Sequence, residues 1–162
     1  MVKFSNINQE KPYLLFKTKY EEAFCAKQKS IEAIFISSYN TKKNEVDSRC
    51  VNLKFVNDNE FVFFSNYNSP KACAFESHNQ IAAVIYWSRT DTQIRMKANI
   101  KKTSNEYNQK YFYQRDKEKN AIAISSAQSK SINSYSHVID NFDKSLKYDD
   151  LKKCPNYWGG FS

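Results

Sequence analysis

The chain has 162 residues, a length that suits one domain with a hydrophobic core and is short for two. Its 41% hydrophobic residues are typical of a globular protein, and no stretch approaches the roughly 20 apolar residues that span a bilayer. Residues Met1 to Lys11 lack the apolar core of a signal peptide, so we expect a cytoplasmic protein. The net charge of +8 favours anionic ligands, but the lysines are spread along the chain, which argues against a dedicated nucleic-acid binder.

Cysteine and glycine usage exclude several kinds of site. The four cysteines are scattered singly without a C-x-x-C pair, so zinc and iron–sulfur sites are not expected and we predict free, mostly buried thiols at Cys25, Cys50, Cys73 and Cys154. The only glycines are Gly159 and Gly160, which excludes every glycine-rich phosphate loop. A bound phosphate would therefore need side chains, or backbone amides at strand and helix ends.

The first half of the chain predicts one helix and three strands. Apolar residues recur at helical spacing from Tyr13 to Lys27, after Pro12 as a natural first-turn residue. The segments that follow are rich in β-branched and aromatic residues and are separated by polar turns, which predicts antiparallel strands at Ile31–Tyr39, Ser48–Val56 and Glu60–Ser65.

The second half predicts two strands and then helices. Ser69 and Pro70 open a short helix that ends near Ser77. The strands are Ile81–Trp87 and Thr92–Lys102, and the later helices are Glu106–Arg115, Asn120–Gln128 and Ser136–Tyr148. The pattern predicts a mainly β protein with helices (α+β), whose five or six antiparallel strands form a closed or nearly closed sheet.

Six short motifs, in order along the chain, resemble those of the pyridoxamine 5'-phosphate oxidase family. The first two are Arg49–Lys54, similar to R-x-V-x-L-K, and Val62–Lys71, similar to V-F-Y-T-N-x-x-S-R-K. The others resemble R-Q-V-R, K-Y-F-x-x-R, K-Q-S and F-W-G-G-F, at Thr92–Arg95, Lys110–Arg115, Ala127–Ser129 and Tyr157–Phe161. The resemblance implies a six-stranded antiparallel split β-barrel flanked by helices, a single domain over residues 1–162, and a homodimer with FMN at the subunit interface.

The resemblance also implies which residues bind ligands. For FMN these are Arg49, Val51, Leu53, Lys54, Phe64, Ser65, Lys71, Gln93, Gln128 and Ser129. For the phosphate of the substrate they are Lys54, Tyr111 and Arg115. On a regular strand Arg49 and Lys54 face opposite sides, so they serve different ligands unless a bulge intervenes. No catalytic residue is assigned.

Three departures from the family pattern affect these expectations. Pro70 stands where an FMN-binding arginine is expected, and Lys119 where a serine completes the phosphate cradle. The family pattern continues beyond W-G-G-F with a tryptophan and an R-x-H-x-R segment, which have no counterpart in this sequence. A phosphate cradle without the residues that hold the pyridine ring is therefore expected.

Four functions remain open from the sequence. The first is FMN-dependent oxidation of a phosphorylated pyridoxine- or pyridoxamine-like substrate, by hydride transfer to FMN. The second is a flavin reductase-like enzyme, or another FMN-binding protein with a different substrate. The third is a non-catalytic flavin or pyridoxal-phosphate binder, and the fourth is a basic nucleic-acid binder.

Overall fold

The computed structural model describes residues 1–126, 130–148 and 150–162. The chain divides into two compact units. Unit 1 comprises Met1–Phe64, Ala74–Lys101 and Phe161–Ser162, and unit 2 comprises Ser65–Cys73 and Lys102–Gly160. None of the helices in the described ranges is long and apolar enough to cross a membrane.

Seven strands and five helices follow one another along the described residues. The strands are β1 (Lys3–Ile7), β2 (Ala33–Asn40), β3 (Glu45–Asp58), β4 (Glu60–Asn66), β5 (Gln80–Trp87), β6 (Thr92–Asn99) and β7 (Trp158–Phe161). The helices are α1 (Lys11–Cys25), α2 (Pro70–Ser77), α3 (Asn105–Gln114), α4 (Lys117–Ser125) and α5 (Tyr135–Leu146).

The strands form one sheet in the order β6-β5-β2-β3-β4-β7, and β1 pairs with β3. The pairs β2–β3, β2–β5, β3–β4 and β5–β6 are antiparallel, as the short polar turns between consecutive strands require, whereas β1 runs parallel to β3. Asn44, Asp58 and Asp91 adopt positive φ angles of 56°, 50° and 46° in the connecting turns, a conformation that Asn and Asp tolerate better than most residues.

The long strand β3 changes partners along its length. Its first half, up to Asn52, pairs with β2, and from Leu53 onward it pairs with β4. Between Leu53 and Phe55 the register with β4 shifts by one residue, because these two residues lie opposite the consecutive Phe63 and Val62. Such a bulge bends a strand and re-aims its side chains, and Lys54 lies in it.

The core of unit 1 lies between α1 and the inner face of the sheet. Phe16 and Tyr20 of α1 contact Trp87 at ring-centroid distances of 5.9 Å each, the second in an edge-on arrangement. The indole N–H of Trp87 donates to the carbonyl oxygen of Ile31 at 3.0 Å, so this buried polar group is satisfied. The alternation of buried Ile81, Ala83, Ile85 and Trp87 along β5 reflects the two-residue period of a strand.

In unit 2 a closed hydrogen-bond network holds the two glycines. The carbonyl of the buried Asn108 side chain accepts from Gly160 N at 2.8 Å, and its amide donates to the Tyr67 hydroxyl at 3.0 Å. Tyr67 donates in turn to the Gly160 carbonyl oxygen at 3.0 Å. A Cβ atom on Gly159 would overlap the Tyr67 hydroxyl and the Asn108 amide, so the W-G-G-F motif needs glycine there for close approach.

The predicted α+β class with its antiparallel sheet is confirmed, with two strands that the sequence did not predict. Strand β1 has no regular alternation of buried and exposed residues from which a strand could be predicted. Strand β7 contains two glycines, a residue type that is depleted in strands. The prediction of mostly buried thiols is wrong. Cys25, Cys50 and Cys73 are exposed and Cys154 is half-buried, because Cys50, for example, lies opposite the exposed Phe35 on the outer face of the sheet.

Candidate functional site

Arg49 of β3 is a half-buried cation held by three acceptors. Its side chain is only 14% exposed. Nη1 donates to the Ser38 hydroxyl at 2.7 Å and to the Ile36 carbonyl at 3.2 Å, and Nη2 forms an ion pair with Asp47 at 2.7 Å. Ser38 is itself 3% exposed, at a position of β2 where the alternation calls for an apolar residue. The guanidinium is therefore fixed before any ligand arrives, unlike that of a solvated surface arginine.

The other predicted residues of β3 differ in their surroundings. Val51 and Lys54 are half-buried, whereas Leu53 is buried and donates its backbone N–H to the carbonyl of Glu32 at 2.8 Å. The Leu53 side chain therefore belongs to the core of unit 1. Because Lys54 lies in a bulge, its side chain is not restricted to the side of the strand opposite Arg49.

Phe64 and Gln93 lie elsewhere in unit 1. Phe64 is half-buried and is the last residue of β4 that belongs to unit 1. Its ring meets the ring of Phe55 edge-on, with the centroids 6.2 Å apart. Gln93 is exposed near the start of β6, opposite Tyr86 of β5. An exposed amide can both donate to and accept from a ligand.

In unit 2 the structure brings two predicted FMN-binding residues together. Lys71 Nζ donates to the Ser65 hydroxyl at 2.8 Å and to the Ser69 hydroxyl at 3.1 Å. Ser65 is 9% exposed and Ser69 1%. Ser69 precedes α2 and accepts backbone N–H bonds from Ala72 and Cys73, so the ammonium group lies at a helix N-terminus. A lysine, two hydroxyls and a helix start are groups that bind phosphate.

Tyr111 and Arg115, one turn apart on and just after α3, share an aromatic neighbour in unit 2. The Tyr111 ring stacks on Trp158 with centroids 6.3 Å apart and an interplanar angle of 12°. The Arg115 guanidinium lies 4.5 Å from the centroid of the same indole. Its Nη2 donates to the Lys119 carbonyl at 3.3 Å, while its buried Nη1 has no hydrogen-bond partner among the described residues. An orphaned cationic N–H fits an anionic ligand.

The pKa values around Arg115 reflect burial and neighbouring charge. Burial lowers the pKa of Arg115 and raises the pKa of Tyr111, and each effect is partly offset by the interaction between the two groups. The hydrogen bond from Lys119 to Asp116, at 2.6 Å, raises the pKa of Lys119 and lowers that of Asp116. Lys119, at the family's serine position, thus remains a cation paired with a carboxylate.

Two predicted FMN-binding residues, Gln128 and Ser129, lie outside the described residues. A cavity of about 260 Å³ lies in unit 2. Four of its lining residues flank Gln128 and Ser129 in sequence, namely Ile124, Ser125, Ser126 and Lys130, and the other three are Asn66, Asn68 and Tyr157. Sequence reasoning missed Ser38, Asp47 and Ser69 as partners of the predicted cations. A serine at a buried strand position is the signal that could have identified Ser38.

Comparisons with known proteins agree on one family. The chain is 29% identical over 153 residues to pyridoxine/pyridoxamine 5'-phosphate oxidase of Leptospira interrogans, covering 93% of this chain and 71% of that protein. It is 30% identical over 151 residues to the Coxiella burnetii enzyme of the same name, covering 93% and 76%. No family model matches the chain.

Solved structures show the same fold. PhzG from Burkholderia lata, crystallised with tetrahydrophenazine-1-carboxylic acid, superposes with a TM-score of 0.84 at 18% identity, over 93% of this chain and 74% of that one. A pyridoxamine 5'-phosphate oxidase-related, FMN-binding protein from Nostoc punctiforme gives 0.74 at 11% identity, over 90% and 78%. The predicted split-barrel fold is thereby confirmed. From the identity to the Coxiella enzyme and the share of it that is covered, the chain belongs to the pyridoxine/pyridoxamine 5'-phosphate oxidase family.

Proposed function

We propose that the protein binds FMN and works as an FMN-dependent oxidoreductase. The observation that carries this proposal is the cluster of Lys71, Ser65 and Ser69, in which an ammonium group lies within 2.8 and 3.1 Å of two buried hydroxyls at the start of α2. This is a polar, positively charged site without a glycine-rich loop. It suits the FMN phosphate. Pro70, at the first helical position, has no charged side chain and no backbone N–H, so the lysine and the hydroxyls would make the contacts to the phosphate.

Arg49 is the second element of the proposed FMN site. Because three protein acceptors already fix its guanidinium, a ligand that it contacts finds the charge in place and loses less free energy to side-chain ordering. Lys54, Phe64, Gln93, Gln128 and Ser129 complete the proposed contacts, with Val51 and Leu53 contributing through their backbone. Bound FMN would supply the acceptor for a hydride from the substrate.

The substrate that we propose is a phosphorylated pyridoxine- or pyridoxamine-like compound. Tyr111 offers a phenolic hydroxyl, and Arg115 offers the buried Nη1 without a partner in the described part of the chain. A phosphate oxygen would satisfy that N–H, and Lys54 is the third proposed contact. The role of these residues is to bind and orient the substrate, and no catalytic proton transfer is assigned to them.

We further propose a homodimer with FMN at the subunit interface. The outer face of the sheet in unit 1 carries large exposed apolar side chains on neighbouring strands, among them Phe35 at 54% and Tyr86 at 53% exposure. Apolar residues grouped on one face favour burial against another protein surface. Sedimentation of the purified chain would reveal a monomer if this part of the proposal is incorrect.

A flavoprotein with a different substrate is the second candidate, and Lys119 favours it. Where the family has a serine hydroxyl, this chain has an ammonium group paired with Asp116 at 2.6 Å. A charged pair has a different geometry from a single hydroxyl beside the phosphate cradle and could select another anionic substrate.

FMN titration of two lysine variants tests the proposal. Lys71→Met should weaken FMN binding about 10- to 150-fold, since a hydrogen bond to a charged group contributes roughly 1.5–3 kcal/mol. The matched control is Lys117→Met, which removes an exposed lysine of α4 and should leave the affinity unchanged. Equal affinities of the two variants would contradict the assignment. Oxygen consumption on addition of pyridoxamine 5'-phosphate then distinguishes the proposed oxidase from a flavoprotein with a different substrate.

A further inference from the structure

Residues 151–154, which we call the strap, contact the end of α3 through the half-buried Lys152. Its Nζ donates to the backbone carbonyl of Tyr113 at 2.7 Å and to that of Arg115 at 3.0 Å. The last carbonyls of a helix have no donor within the helix, and a cation beside them is favourable. Because the last turn of α3 contains no basic residue, a lysine 37 positions after Arg115 supplies this charge.

Side chains of two helices hold the backbone of the strap. In α3, the Gln109 amide donates to the Lys152 carbonyl at 2.9 Å, and the Gln109 side-chain oxygen accepts from Cys154 N at 2.9 Å. In α4, the buried Asn120 donates to the carbonyl of Leu151 at 2.8 Å. The backbone of the strap is therefore fixed on both sides of Lys152, which restricts where the ammonium group of this lysine can lie.

The guanidinium of Arg115 lies at the same corner between α3 and α4. It is 4.5 Å from the centroid of the Trp158 ring, and its Nη2 donates to the carbonyl of Lys119 at 3.3 Å. The carbonyls of Tyr113 and Arg115 would otherwise compete for this guanidinium, because arginine side chains near a helix C-terminus bond its last carbonyls. Lys152 donates to both carbonyls, and Nη1 of Arg115 is buried without a partner among the described residues.

We propose that Lys152 is a positioning residue of the substrate-phosphate cradle. It holds the corner between α3 and α4 and occupies the two competing carbonyls, so that Nη1 of Arg115 stays available to an anion. Lys152 acts through Arg115 and not by contact with the substrate. The inference rests on the proposed function, in which Tyr111 and Arg115 bind a phosphate group. A lysine that only stabilised α3 would leave the phosphate affinity of the folded protein unchanged.

NMR of the full chain without substrate tests the positioning role first. Protons near the face of an indole ring are shifted upfield, so the side-chain signals of Arg115 report its contact with Trp158. Lys152→Met should move these signals at least halfway to their positions in an unfolded chain. Lys152→Arg, which also offers two N–H donors, should leave them in place. The matched control Lys153→Met, which removes the exposed neighbour in the strap, should do the same.

Titration calorimetry in the presence of FMN then measures the effect on ligand binding. Lys152→Met should bind pyridoxamine 5'-phosphate about five- to fiftyfold more weakly, because a less restrained guanidinium makes a weaker charge-assisted contact. Its affinity for FMN should equal that of the wild type. In an Arg115→Met background, Lys152→Met should have little further effect. Gln109→Leu, which loosens the strap but keeps the ammonium group, should weaken phosphate binding to a smaller extent.

The outcomes separate this inference from the proposed function. Unmoved Arg115 signals or unchanged affinity for pyridoxamine 5'-phosphate in folded Lys152→Met protein would overturn the positioning role while the proposed function stands. Equal weakening in the Arg115→Met background would do the same. Should Lys152→Met not fold, unchanged binding by Gln109→Leu overturns the role instead. If the wild type does not bind pyridoxamine 5'-phosphate, the proposed substrate is wrong and the role of Lys152 falls with it.

Discussion

Ser38→Ala tests whether the buried hydroxyl of Ser38 holds Arg49 in place. The Ser38 oxygen accepts from Arg49 Nη1 at 2.7 Å, and both side chains are largely removed from water, at 3% and 14% exposure. Hydrogen bonds to charged groups contribute roughly 1.5–3 kcal/mol. At about 2–4 °C per kcal/mol for a chain of this size, the melting temperature should fall by about 3–12 °C.

FMN affinity should fall together with stability. Without the hydroxyl, the guanidinium keeps its bonds to Ile36 and Asp47 but is less restrained, so we expect FMN binding to weaken about three- to tenfold. The assays are calorimetric melting and fluorescence titration of FMN. Ser37→Ala is the matched control, because Ser37 is the neighbouring residue of β2 and its hydroxyl contacts Ser48 rather than Arg49.

A double-mutant cycle separates this positioning role from a general loss of stability. In an Arg49→Met background, Ser38→Ala should have little further effect on FMN affinity, since the residue through which it acts is gone. The reasoning is refuted if Ser38→Ala leaves both affinity and melting temperature unchanged, or if it weakens FMN binding equally in both backgrounds.

Three further predictions follow from single contacts. Asp47→Asn should weaken FMN binding about two- to fivefold by titration, because it weakens one of the three contacts that fix the Arg49 guanidinium, and tighter binding would contradict this. Gly159→Ala should lower the free energy of unfolding by about 1–3 kcal/mol in urea melts, with partial recovery on adding Tyr67→Phe, since the new Cβ overlaps the Tyr67 hydroxyl. Burial raises the pKa of Cys154 to about 11, so iodoacetamide at pH 8 should label it last, and mass spectrometry should find the label first on Cys25, Cys50 and Cys73.

The antiparallel strands were predictable because their determinants are local. In β5 the continuous apolar run and in β6 the alternation of Ile94 and Met96 with charged residues give a strand signal within eight residues. Strand β1 is different, since it is fixed by parallel pairing with residues some 50 positions away, and local patterns carry no such information. The thiols were misjudged for a similar reason, because which face of β3 turns outward depends on the assembled sheet.

The candidate site was predictable as a set of charges and hydroxyls, but not as contacts. The motifs predicted Lys71 and Ser65 as FMN ligands. The structure adds that Lys71 donates hydrogen bonds to the hydroxyls of both Ser65 and Ser69. The bulge that carries Lys54 and the stacking of Arg115 on Trp158 depend on partners distant in sequence. Such features follow from tertiary packing, which a motif records only indirectly.

Titration calorimetry of FMN against the purified wild-type chain tests the central claim most directly, with riboflavin, which lacks the phosphate, as the comparison ligand. The account predicts one saturable FMN site per chain, with riboflavin bound at least tenfold more weakly because Lys71 and the two serine hydroxyls have no phosphate to hold. Absence of saturable FMN binding, or equal affinity for the two flavins, would contradict it.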